Sequence, residues 1–172
     1  MNAAIWFVAG TTYLTVRVAT QTITDEGIVS SNASLPLNAI TKVRVEASGR
    51  DVFLYLNNTL DTMITVSADR IFGVASLYVS NPWQPPALAT IASIQMIPFS
   101  TRSFIPASNF NSRLSQLAVY EATTVPTNFA LSFDIKPFGT VSELASIIYY
   151  RKSDMGSAAG GIPGICFATL IN

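Results

Sequence analysis

Period-two alternation of apolar and polar residues recurs along almost the whole chain, while a sustained apolar stripe of period 3.6 occurs almost nowhere. That pattern builds half-buried strands and leaves no stable amphipathic helix, so the expected fold is all-β. In TYLTVRV (12–18), Leu14, Val16 and Val18 point to one face and Thr15 and Arg17 to the other. ITKVRVEASGRDVFLYLNNTL (40–60) holds two such runs, Lys42–Ala47 and Asp51–Leu56, joined at Ser48-Gly49-Arg50, where glycine suits a tight hairpin turn. Asn57-Asn58 then turns the chain into Leu60–Val66, because asparagine tolerates the left-handed region. Further strands are expected at Ala75–Ser80, Ile91–Ile97, Ser115–Tyr120, Phe129–Pro137 and Leu144–Arg151, with loops at 22–39, 80–90 and 152–163. With the two ends this makes about twelve short strands, the spacing of a two-sheet antiparallel sandwich.

The 172 residues suit one β domain over 1–172. Only 12% are charged, and ten basic residues balance ten acidic ones. No basic field exists to draw in phosphate backbones, so nucleic acid is not an expected partner. Residues 71–101 carry no charge, but Asn81, Pro82, Gln84, Pro85, Pro86 and Pro98 interrupt them, so no membrane-spanning helix is expected. MNAAIWFVAG lacks the basic start of a signal peptide and runs straight into alternation; it reads as a strand, and any secretion signal would lie outside these residues.

Three stretches together carry a resemblance. VPTNFALSFDIKPFGT (125–140), then SIIYY, then GGIPGICF (160–167), are similar to the opening strands of a concanavalin A-like, laminin G-like module. KVRVEASGRDVFLYLNNTL (42–60) resembles the later hairpin of that module and ASIQMIPF (92–99) its closing strand. The resemblance implies a jelly-roll sandwich. Its order here is rotated: the segments that open the module lie late in the chain, and AIWFVAGTTYLTVRV, which should follow "IPGI", lies early. The chain therefore reads as a circularly permuted module or as a window across tandem copies, which closely placed termini permit.

A similar strand pattern, a small residue, isoleucine, an aromatic or thiol, and phenylalanine, occurs twice. Ala4-Ile5-Trp6-Phe7 matches Gly164-Ile165-Cys166-Phe167 at an offset of 160 residues. Both cannot fill one place in one sandwich. Either one copy pairs beside the other within the chain, or residues 164–172 leave their own module for a neighbouring subunit, making Ile165, Cys166, Phe167, Ile5, Trp6 and Phe7 the exchange strands.

Catalytic chemistry is not expected. Histidine is absent, which removes Ser–His and Cys–His mechanisms and the commonest metal ligand. The lone Cys166 has no partner for an intrachain disulfide and reads as a small buried hydrophobe. No pair of carboxylates alternates along one strand as a glycanase requires. Glu46 and Asp51 flank the hairpin and read as solvated turn charges. The GSAAGG run (156–161) lacks the lysine and helix of a phosphate-cradling loop. Cofactors are not expected, and no metal site is assigned; for the calcium that some members of the resembled family bind, Asp25, Asp61 and Asp154 are the candidates.

Two function classes follow. The first is a non-catalytic structural subunit or repeat of an extracellular or cell-surface assembly such as a fibre, sheath or appendage, self-associating through strand exchange and apolar edges. The alternative is a lectin-like adhesion module binding glycans through LYVSNPWQPP (77–86), with Tyr78, Asn81, Trp83 and Gln84 as aromatic platform and amides. Asn32 and Asn57 each head an N-glycosylation pattern in a loop or turn.

Overall fold

The structure, a computed structural model, describes residues 3–23, 25–71, 75–80, 84–98, 110–111, 117–122 and 128–152. These contain twelve strands and no helix: β1 (Ala3–Phe7), β2 (Leu14–Val18), β3 (Glu26–Ile28), β4 (Thr41–Ser48), β5 (Asp51–Leu56), β6 (Thr59–Thr65), β7 (Ala75–Val79), β8 (Ala89–Pro98), β9 (Phe110–Asn111), β10 (Leu117–Ala122), β11 (Phe129–Pro137) and β12 (Ala145–Lys152). They form two antiparallel six-stranded sheets, ordered β10-β7-β12-β1-β2-β3 (sheet I) and β6-β5-β4-β11-β8-β9 (sheet II). The all-β sandwich expected from the alternation is what the chain builds.

The clearest alternation gives the cleanest strands. In β4, Thr41, Val43, Val45 and Ala47 are buried while Lys42 and Ser48 are exposed. Its partner β5 buries Val52 and Leu54, and Gly49 makes the turn between them at φ 53. Asn57 and Asn58, at φ 50 and 67, form the next two-residue turn, because two consecutive positive φ values match the twist of a hairpin. β11 directs Phe129, Leu131, Phe133 and Ile135 inward and pairs with β4 and β8.

One core joins the two sheets. Ile5, Phe7, Leu14, Val16, Val18 and Ile148 from sheet I pack in the same cluster as Val43, Leu54, Ile91, Ile94, Met96 and Phe133 from sheet II. Each such side chain, fully buried, contributes about 1.5–3 kcal/mol of transfer free energy.

Three local expectations need correction. The segment read as loop over 22–39 contains β3, three residues long, paired with β2 at Val16↔Ile28 and Val18↔Glu26. Thr15, assigned to the polar face, is buried because its hydroxyl donates to the Ile28 carbonyl at 2.8 Å. β8 changes phase midway: Ile91 and Ile94 both face the core although three apart, because Ser93 takes φ 55 and the ladder with β11 shifts between Ser132 and Asp134.

Strands far apart in sequence close the sandwich. β12 lies between β7 and β1, and β11 between β4 and β8. The opening strand β1 is thus interior to its sheet, with a neighbour on each side.

Candidate functional site

β1 carries three of the residues named above for strand exchange, Ile5, Trp6 and Phe7. β1 pairs with β2 in unbroken register, Ala4↔Arg17 to Phe7↔Leu14. Its other edge pairs with β12 through Ala4↔Tyr149, Ile5↔Ile148, Trp6↔Ser146 and Phe7↔Ala145, with a bulge at Ile147. Ile5 and Phe7 enter the core shared by both sheets. Ala4 and Trp6 face the other way and pack with Tyr78 and Leu144 in a smaller apolar cluster. All four β1 side chains from Ala4 to Phe7 are at most 2% exposed. Burial on both faces explains why AAIWF shows no alternation.

Both edges of β1 are therefore occupied. The intrachain expectation, that residues 164–169 pair directly beside residues 4–9, is incompatible with these two ladders. Ile165, Cys166 and Phe167 themselves lie outside the described residues.

Two more polar side chains are sealed in, Ser146 opposite Trp6 in the β1–β12 ladder and Ser80 just past β7. Ser80 and Ser146 are fully buried, and among the described residues Trp6 Nε1, Ser80 Oγ and Ser146 Oγ have no hydrogen-bond partner. Backbone bonds hold this corner: Ser80 N donates to Ile147 O at 2.9 Å, Ser146 N to Pro85 O at 3.1 Å, and Ala87 N to Ser146 O at 3.1 Å. These serines carry no motif, so the sequence offered no signal for them. Of the four residues expected to bind a glycan, Tyr78 sits on β7 in this corner and Gln84 precedes the pinned segment, both half-buried; Asn81 and Trp83 lie outside the described residues.

The opposite flank is a polar seam between the sheets. Glu26 of β3 accepts from Ser67 N at 2.7 Å and Ser67 Oγ at 2.9 Å, just past β6. Asp61 of β6 accepts from Asn32 N at 2.7 Å and Ala33 N at 3.0 Å, and its carbonyl accepts from Asn32 Nδ2. Gln21 N and Ile71 N complete the seam on Asp69 O and Ala19 O, each at 2.9 Å. Buried Arg70 spans it with Nε donating to Gly49 O at 2.8 Å, and burial pulls its pKa below the usual arginine value.

This seam accounts for several candidate residues. Asp61, a calcium candidate, spends its carboxylate on two backbone amides. Asp25 lies 3.6 Å from Arg17 Nε in an ion pair, and Asp154 is outside the described residues. Among the described residues, no group of three or more acidic, histidine or cysteine side chains is arranged to hold a metal ion. Of the glycosylation candidates, Asn32 has its amide nitrogen tied to Asp61, whereas Asn57, at an exposed turn, accepts from Lys42 N at 3.0 Å through its side-chain oxygen.

The two hairpin acids do not act together. Glu46 lies 3.3 Å from Arg44, whose guanidinium stacks 4.1 Å from the Tyr55 ring centre, and Asp51 accepts from Thr65 Oγ1. Tyr55 has its pKa raised, first by burial and then by the Glu46 charge and hydrogen bond. No helix of the described residues is long and apolar enough to cross a membrane.

No protein-family model matches the chain, and neither the curated proteins nor the solved structures compared with it contain a significant match.

Proposed function

We propose that the chain is a non-catalytic structural subunit or repeat of an extracellular assembly, held together by strand exchange and apolar edge contacts. One observation carries the reading: the β1 sequence pattern occurs twice, and its place between β2 and β12 holds one strand. The second copy brings Ile165 and Phe167, whose counterparts Ile5 and Phe7 are at most 2% exposed. Leaving two such side chains in water forfeits about 3–6 kcal/mol that pairing with another molecule recovers. Exposed Leu37, Ile40 and Phe138 add apolar surface elsewhere on the sandwich, with the Asn38 N to Pro137 O bond drawing their two segments together. The position of β12 beside β1 also favours the permuted laminin G-like reading, because a strand following "SIIYY" in that module belongs in this place.

Size-exclusion chromatography with light scattering tests the proposal on the full chain and on a variant lacking residues 164–172. Oligomers of the full chain that become monomers on truncation support it. Monomers in both cases over the micromolar range remove it.

A further inference from the structure

The β5–β6 hairpin carries large apolar side chains on both faces. Val52 and Leu54 enter the core, so Phe53 and Tyr55 take the outer face of sheet II, with ring centres 6.5 Å apart. Met63 stands opposite Phe53 in the β5–β6 ladder and Leu60 opposite Tyr55, and both are exposed. Four large side chains thus form one outer patch, of the kind that soluble surfaces keep small or cover. At the apex of the hairpin, two residues beyond Tyr55, the turn Asn57-Asn58 leads into Thr59, and all three residues are exposed. That triplet is an N-glycosylation pattern.

We propose that Asn57 carries an N-linked glycan whose first N-acetylglucosamine packs over Tyr55 and Leu60. The proposal rests on the extracellular reading above, but not on copies associating. An oligosaccharyltransferase supplies the sugar from a lipid-diphosphate donor: Asn57 Nδ2 bonds to C1, the C1–O bond to the diphosphate breaks, the amide gives up one proton, and lipid diphosphate leaves. Geometry selects Asn57 over Asn32. The Asn57 carboxamide is anchored through its oxygen, which accepts from Lys42 N at 3.0 Å, while Asn57 N donates to Lys42 O at 2.8 Å. The atom that takes the sugar is not the atom that holds the turn. In Asn32 the reverse is true, because Nδ2 donates to the Asp61 carbonyl while the Asn32 and Ala33 amides donate to the Asp61 carboxylate at 2.7 and 3.0 Å. A sugar on Asn32 starts against β6 and loosens the seam. Beside Asn57 the surface suits a sugar: pyranose C–H groups are weakly positive and the face of an aromatic ring is negative, the attraction that also orients ring pairs. Two residues of strand, about 7 Å, separate Tyr55 from Asn57, within reach of the first sugar. Arg44 takes one face of that ring, 4.1 Å from its centre, and the sugar the other.

Secretion of the full chain from a eukaryotic host behind an added signal peptide tests occupancy, read by peptide mass spectrometry after peptide-N-glycosidase treatment in heavy-oxygen water. A modified Asn57 supports the proposal; an unmodified Asn57 overturns it, whether or not Asn32 is occupied. Packing is read in a Ser34→Ala background, which removes the Asn32 pattern. There the glycoform trimmed to a single N-acetylglucosamine is compared with the same chain made without glycan in bacteria. The sugar should raise the urea midpoint by about 0.3–0.7 M, and the gain should vanish in Tyr55→Thr, which keeps a good strand former at that position. No gain in the parent, or an equal gain in Tyr55→Thr, overturns the packing of the sugar on Tyr55. Failure of the assembly reading shows in the sizing experiment and failure of this one in occupancy, so the two are told apart.

Discussion

Gly27 is the residue whose replacement the fold resists for the most specific reason. It lies mid-way along β3 at φ 143, a region accessible in practice only to glycine, and it faces Arg17 in the β2–β3 ladder. A Cβ added there would stand closer than 3.0 Å to the Val16 carbonyl oxygen, which is backbone and cannot rotate away. Gly27→Ala must therefore move β3 off β2. Backbone strain of about 1–3 kcal/mol adds to the weakening of one or two ladder or Glu26 hydrogen bonds, each worth about 0.5–1.5 kcal/mol net, for a total near 3 kcal/mol. Gly49→Ala supplies the control: φ is 53 and nothing lies within 4 Å of the new Cβ, so only left-handed strain of about 1 kcal/mol is incurred. With an m-value of about 2 kcal/mol/M, urea midpoints should fall by about 1.5 M and about 0.5 M respectively. Equal shifts for the two variants would refute the close approach of β3 to β2.

Other outcomes follow from the seam and the sheet faces. Asp61→Ala should lower stability by about 1–2 kcal/mol in urea titrations, since two amides lose a charged acceptor at an exposed site where water partly replaces it. Asp51→Ala, whose carboxylate serves one hydroxyl, should change it by less than about 1 kcal/mol. The Tyr55 phenol has its pKa raised above 10.0, so its neutral form is favoured in the folded state. Its contribution is full below pH 10 and is lost as pH rises through the folded value, so the stability of Tyr55→Phe should fall less steeply than that of the parent chain as pH rises above 10, by circular dichroism.

Much of this architecture was legible because the physics is local. Val43, Val45, Val52 and Leu54 alternate with polar residues, and Gly49, Asn57 and Asn58 supply the φ values their turns need, so the β4-β5-β6 meander follows from the sequence alone. β3 was hidden because three residues around a glycine have no period to measure, and its place depends on β2 and on Glu26 reaching Ser67, 41 residues away. The break in β8 was hidden because nothing in ATIASIQMIP announces that Ser93 takes a positive φ. In the candidate site, the likeness of residues 4–7 to 164–167 was visible, but not that β1 sits inside its sheet with both edges paired. The buried hydroxyl of Ser146 acquires meaning only when Trp6 is set opposite it by a ladder across 140 residues.

That ladder has a bearing on how the molecule comes into being. Ala4 finds Tyr149 only after 145 further residues have been made, which at ribosomal speed takes about 7–30 s. Throughout that interval the hairpin of β1 and β2 presents one bare rim of amides and an indole with nothing over it. Nascent chains on neighbouring ribosomes meet in that condition, so the moment of greatest vulnerability to mispairing precedes release, and a chaperone that shields the first twenty residues would raise the yield more than one acting on the finished chain.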